Sequence, residues 1–171
     1  MSKDPQASVD ILNLARSMEL VAIAQYMQHH YALDNLMYPS FAKAVKRIAI
    51  DEMRHAEMLS ERIRELGGVP ITAPSQAPDT AEDPMVAYAA DADLERDTVF
   101  KYNEYIEALS AIDHVSAQLL KKIIVEEEGH SQYFQDVIGH ITNLGPHYLA
   151  VQAGAKFEKT DYEEFIVGKN N

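Results

Sequence analysis

Cysteine is missing from all 171 residues, which excludes disulfides, thiolate zinc sites, iron–sulfur clusters and cysteine nucleophiles. Positive charge is scarce as well. The 15 Lys and Arg stand against 27 Asp and Glu, and the net charge of −12 repels nucleic acid and anionic membrane while attracting cations. The N-terminal run MSKDPQASVD has no apolar core of the kind a signal peptide carries. No later stretch offers the uninterrupted apolar run, about 18 residues, that spans a bilayer. These absences predict a cytoplasmic protein that binds neither nucleic acid nor membrane.

What is present is an ordinary globular balance, 47% hydrophobic and 25% charged, in a chain long enough for one domain with a full core. A helical pattern runs from about Val9 to Leu36 with no glycine or proline inside, and places Leu12, Ala15, Glu19, Ala22 and Tyr26 on one stripe. Pro39 ends it, and Ser40 is the expected cap of a second helix from about Phe41 to Leu66. That helix carries Phe41, Val45, Ile48, Glu52, His55, Leu59, Ile63 and Leu66, and stops at Gly67-Gly68. Residues 69–83 hold three prolines and no helical period, so they read as an extended connection long enough to cross a bundle. Asp83-Pro84 opens a third helix with Tyr88, Ala92, Glu95, Val99, Tyr102, Ile106 and Leu109 on its stripe. A turn is expected over Ser110 to Asp113. The fourth helix follows from about His114 to Asn143, bearing Leu120, Ile123, Glu127, His130, Phe134, Val137 and Ile141. Pro146 opens a short fifth helix to about Ala153, before a tail of mixed charge over 154–171 to which no function is assigned.

Each of the four long patterns thus puts a carboxylate on its core stripe (Glu19, Glu52, Glu95 and Glu127), and two add a histidine three positions on (His55 and His130). Residues at i and i+3 share a helix face. A charged carboxylate in a core is costly unless it is paired or bound to a metal. A buried ion pair would explain one Glu-x-x-His. Two such pairs and two single glutamates, on four successive helices, point instead to a two-metal carboxylate site inside an all-α four-helix bundle with one long crossover. Carboxylate and imidazole donors suit Fe, Mn or Zn rather than a soft copper site. Four carboxylates and two neutral imidazoles carry −4, which two divalent cations would cancel.

Over nearly its whole length the chain resembles the bacterioferritins, through the runs MELVAIAQY, IDEMRHAE and EEEGH. The longer runs MELVAIAQYMQHHYALD and IAIDEMRHAEMLSERIRELGG are most similar to those of anaerobic, sulfate-reducing bacteria. The resemblance implies a ferritin-like domain over 1–171, two irons per subunit, and ferroxidase activity in which Fe2+ is oxidised by dioxygen or peroxide. It further implies storage of the ferric mineral in a cage of twenty-four subunits, with a redox partner protein. Glu52 and Glu127 match the carboxylates that bridge the irons, Glu19 and Glu95 those that each bind one, and His55 and His130 the terminal imidazoles. Tyr26 matches the tyrosine beside the site. Met53 is turned about 100° from Glu52 and out of the bundle. In the family a methionine at this place ligates haem iron, one from each of two subunits, so that a haem lies on the two-fold axis of a dimer. Arg47 stands where the family often has a histidine, which leaves the iron route open.

Other residues weigh less. Glu126 is i, i+4 to His130 and competes with Glu127 as a ligand, though the spacing in helix two favours Glu127. His29 and His30 read as core or surface histidines, Asp51 and Arg54 as charges near or outside the site, and His114, His140 and His147 have no ligand partner at helical spacing. The alternative function is a haem-carrying electron-transfer shell whose two-metal site is idle or holds zinc. Intact residues at all six positions argue against it. Among other ferritin-like oxidases and peroxidases, a rubrerythrin needs cysteine, and neither it nor a manganese catalase gives the methionine of DEMRH a role. DNA-protecting mini-ferritins take their ligands from different helices, between subunits.

Overall fold

A computed structural model of the chain describes residues 2–153; the tail expected over 154–171 lies outside them. Five helices follow in order: α1 (Pro5–Asn35), α2 (Pro39–Glu65), α3 (Pro84–Ile112), α4 (His114–Leu144) and the short α5 (Pro146–Ala153). No strand occurs among the described residues. None of the helices is long and apolar enough to cross a membrane.

The helix ends explain where the boundaries differ from expectation. α1 starts four residues before Val9, because the Asp4 side chain accepts from the Ala7 N–H and Pro5 fits the first turn. α2 begins at Pro39, so Ser40 lies inside the helix and caps nothing; Tyr38 precedes it without a side-chain cap. The turn expected over 110–113 shrinks to Asp113 alone, since α3 continues to Ile112. Asp113 ends α3 and also caps α4, accepting from the N–H groups of Val115 and Ser116. α2 ends as expected: Gly67 takes a left-handed φ of +82°, its N–H reaches Arg64 O at 3.0 Å, and that of Gly68 reaches Ile63 O at 2.9 Å.

α1 packs against α2, and α3 against α4. The segment between α2 and α3 lies along α1 and is fastened to it. Asn13 holds Val69 O and the Ile71 N–H, Arg16 donates to Ile71 O, and the Ser75 N–H reaches Ser17 O at 3.1 Å. Further on, the Asp79 N–H donates to Gln25 Oε1, and His29 lies between Asp79 (3.1 Å) and buried Asp91 (2.8 Å). The connection therefore runs along α1 from Asn13 to His29, and α3 starts at the end of the bundle where α2 started. α2 and α3 point the same way, which an antiparallel turn could not have produced.

The apolar core forms two clusters. One holds Tyr26, Phe41, Val45, Ile48, Tyr88 and Phe134; the other holds Leu12, Leu59, Ile63, Tyr102, Leu120 and Ile123. Along every long helix the step from one cluster to the other falls at the core carboxylates. The packing thus leaves a polar layer across the middle of the bundle.

Candidate metal centre

Glu19, Glu52, His55, Glu95 and Glu127 are at most 1% exposed in this layer, and the His130 side chain is 12% exposed. Their donor atoms form two overlapping groups, Glu19–Glu52–His55–Glu127 and Glu52–Glu95–Glu127–His130, each with all its atoms within 4.8 Å of one another. The helical spacing produces this directly: Glu52 and Glu127 belong to both groups, and each i, i+3 histidine to one.

The contacts repeat across a pseudo-two-fold axis. His55 Nδ1 lies 2.8 Å from Glu52 Oε2, and His130 Nδ1 lies 2.8 Å from Glu52 Oε1. His55 Nδ1 is 3.9 Å from Glu19 and His130 Nδ1 is 3.9 Å from Glu95. The outer nitrogens face carboxylates in their turn. His55 Nε2 lies 3.4 Å from Glu126, and His130 Nε2 lies 3.8 Å from Asp51. The Glu126 contact, within hydrogen-bond reach, leaves Nδ1 of His55 to face a cation. Glu126 therefore stands at the half-exposed rim, while Glu127 points inward.

The protons of this cluster do not satisfy it. His55 Nδ1 is 2.8 Å from Glu52 and 2.7 Å from Glu127 Oε1, yet one N–H serves only one of them. Glu52 Oε1, Glu95 Oε2, Glu127 Oε1 and His130 Nδ1 are all buried without a hydrogen-bond partner. Four converging orphans of this kind are costly in a core, and a cation between them would satisfy all four at once. The donor set fits two divalent metal ions.

Electrostatics points the same way. Burial pushes Glu19, Glu95 and Glu127 above the usual carboxylate range, and repulsion between neighbouring carboxylates adds to it. Burial also acts on Glu52, but the close His130 and His55 imidazoles outweigh it and hold this carboxyl at about 2. Burial opposes a charge on His55, whereas the close Glu127 and Glu52 carboxylates push it up to about 10. His130 is raised for the same reason, through Glu52. The layer thus favours added positive charge, whether protons or cations.

Tyrosines close the layer at both ends. The Tyr26 hydroxyl donates to Glu95 Oε1 at 2.5 Å, and the Tyr102 hydroxyl donates to Glu19 Oε1. The sequence placed Tyr102 on the core stripe of the third helix but gave it no part in the site, although the step from Glu95 to Tyr102 repeats the one from Glu19 to Tyr26. It also missed the buried grouping of Gln25, His29 and Asp91, whose only trace in the sequence is two polar residues one turn apart on α1. Arg54 pairs with Asp51 at the rim, and Arg47 approaches the same carboxylate at 3.6 Å. Met53 is 44% exposed and directed away from the centre.

Comparison with known proteins agrees with this geometry. The family model for the ferritin-like domain matches residues 9–144. A bacterioferritin of Desulfovibrio desulfuricans is 46% identical over 147 residues, covering 85% of this chain and 82% of that protein. A bacterioferritin of Streptomyces coelicolor is 31% identical, covering 85% and 87% respectively. An X-ray structure of the Desulfovibrio desulfuricans bacterioferritin, with its diiron site in different catalytic states, superposes with a TM-score of 0.86 at 42% identity, covering 91% of this chain and 94% of that one. From the four core glutamates, the two i, i+3 histidines and the crossover to these relatives, the conclusion is that the chain belongs to the ferritin-like family and, within it, to the bacterioferritins.

Proposed function

We propose that this chain, as one ferritin-like domain, is an iron-storage protein that oxidises Fe2+ at the centre of its bundle and keeps the ferric product inside a cage of its own copies. The observation that carries this is the pair of overlapping, buried carboxylate–imidazole groups that share Glu52 and Glu127, with orphaned atoms on Glu52, Glu95, Glu127 and His130. Glu52 and Glu127 would bridge two irons, with Glu19 and His55 on one and Glu95 and His130 on the other. Two ferrous ions held there supply one electron each to dioxygen or peroxide.

The chain's own residues supply the rest. The carboxylates offset the cations' charge, and because burial raises the proton affinity of Glu19, Glu95 and Glu127, cations compete with protons for them. Tyr26 orients Glu95, and apolar clusters on both sides exclude bulk water. Glu126, half exposed against His55, marks where the centre meets solvent.

A haem between two subunits is the second part of the proposal. Met53 fits it: a soft thioether, half exposed on α2 and aimed outward, is a ligand only for something held at an interface. Twenty-four subunits, a redox partner and a cytoplasmic location complete the reading, supported by membership of the family.

Metal analysis with the visible spectrum tests both parts. Two irons per chain and half a haem per chain are expected. Zinc or no metal at the centre, with haem present, would replace the ferroxidase reading with an electron-transfer one.

A further inference from the structure

We propose that Tyr102 is a positioning residue for the metal position formed by Glu19, Glu52, His55 and Glu127, the counterpart of Tyr26 across the centre. The inference rests on the two-cation reading above and adds a residue that this reading does not need.

The observation is a reciprocal exchange between two helices. Tyr26 of α1 donates to Glu95 of α3, and Tyr102 of α3 donates to Glu19 of α1. Each tyrosine stands seven residues, two helical turns, after the glutamate of its own helix (19 to 26, 95 to 102) and serves the glutamate of the other. Both side chains are 0% exposed, and they belong to opposite apolar clusters, Tyr26 to one and Tyr102 to the other. Each therefore closes one end of the polar layer with a ring, and turns its hydroxyl inward to the carboxylate nearest that end.

The chemistry follows from what the hydroxyl does to its glutamate. Glu19 has two oxygens; with Oε1 engaged by Tyr102, Oε2 is the one left toward His55 Nδ1, at 3.9 Å. A carboxylate fixed through one oxygen presents the other in a single orientation, so its donor arrives ordered before any cation does. Without the hydroxyl, Glu19 must be ordered by the cation alone. Since Tyr26 does the same for Glu95, both metal positions are preorganised alike. The competing reading is that Tyr102 fills the core and its hydroxyl takes the nearest acceptor. That role would affect both positions equally, through stability.

Titration of the metal-stripped, assembled protein with Co2+ separates these, because calorimetry counts the equivalents and the visible bands of Co2+ report each position. The wild type is expected to bind two per chain. Tyr102→Phe should weaken one equivalent about tenfold and leave the other unchanged, and Tyr26→Phe should weaken the other one, with a different band affected. Superimposable isotherms for Tyr102→Phe and wild type, or equal weakening of both equivalents, would overturn the proposal. If Tyr102→Phe does not assemble, 3-fluorotyrosine at position 102 decides, since it keeps the ring's shape and donates more strongly. Tightening of the same equivalent is expected, and unchanged affinity overturns the idea. A wild type that binds no Co2+ at the centre would instead remove the two-cation reading itself.

Discussion

Glu52 is flanked by both imidazoles, each Nδ1 at 2.8 Å, while Glu127 has one such neighbour, His55 at 2.7 Å. Its carboxylate belongs to both donor groups, so its loss removes a donor from two metal positions at once. Glu52→Ala is therefore expected to slow rapid Fe2+ oxidation by at least about 100-fold, the upper end of what losing even an outer-shell partner costs. Stopped-flow absorbance checks this; an unchanged rate would take the residue out of the mechanism. Met53 makes a separable prediction, because it faces away from the centre. Met53→Leu should lose the haem spectrum while keeping the assembled protein and its rate of Fe2+ oxidation; a retained spectrum would mean another axial ligand. At this scale the sequence was legible for residues whose chemistry conflicts with their position. A glutamate on an apolar stripe is conspicuous, and four of them with two histidines are more so. Tyr102 was not, because tyrosine on a core stripe conflicts with nothing and its hydroxyl's partner lies on another helix.

Two junctions carry the arrangement of the helices. Asp113 accepts from two backbone N–H groups, from Ser116 Oγ at 2.7 Å and from Arg62 Nη2 at 3.0 Å, so it caps α4 and ties α2 to the α3–α4 corner. Asp113→Ala should cost about 3 kcal/mol, a cap together with one side of a largely buried ion pair, read from the urea midpoint at constant slope. Burial opposes a charge on Asp113, but hydrogen bonds from Ser116 and Arg62 hold its pKa below the usual value. Its contribution is present above that ordinary value and is lost as pH falls through the lowered one. Gly68 shows a different constraint. A Cβ there would stand 2.6 and 2.7 Å from the Val9 methyls and 3.0 Å from Ile63, so Gly68→Ala should destabilise by about 1–3 kcal/mol through overpacking, and Val9→Ala should restore much of it. No rescue in the double variant would place the strain in the backbone instead. The glycine stop of α2 was legible from sequence because backbone chemistry dictates it. The start of α1 was legible too, from Asp4 and Pro5, but an apolar-stripe criterion passes over a polar first turn.

For the whole molecule, the pH dependence of the metal-free state follows from the centre. Glu19, Glu95 and Glu127 have raised pKa values in the fold, so the folded chain binds more protons than the unfolded one as pH climbs above the ordinary carboxylate range, and stability falls. The contacts that raise His55 to about 10 stabilise fully below its ordinary value and are lost as pH rises toward 10. Within the centre Glu52, held at about 2, acts oppositely, and its effect is complete once pH exceeds the ordinary value. The metal-free protein should thus melt at progressively lower temperature from about pH 5.5 to 9, with Co2+ or Zn2+ removing most of that slope. A melting temperature that rises with pH over this window would contradict the assigned protonation of the layer.

The amino-acid sequence by itself determined the helices, their order, the long connection and the identity of the six polar residues on the apolar stripes. Those features depend on backbone chemistry and on a periodicity of a few residues, and both are local. Only the tertiary structure decided how the crossover is fastened along α1, that the layer leaves four of its atoms unsatisfied, and that each tyrosine serves the glutamate of the opposite helix. Such relations join residues tens of positions apart, and their geometry comes from how two apolar clusters pack around a polar layer. Helical periodicity places a side chain on a face; it does not say which atom of another helix that face will meet.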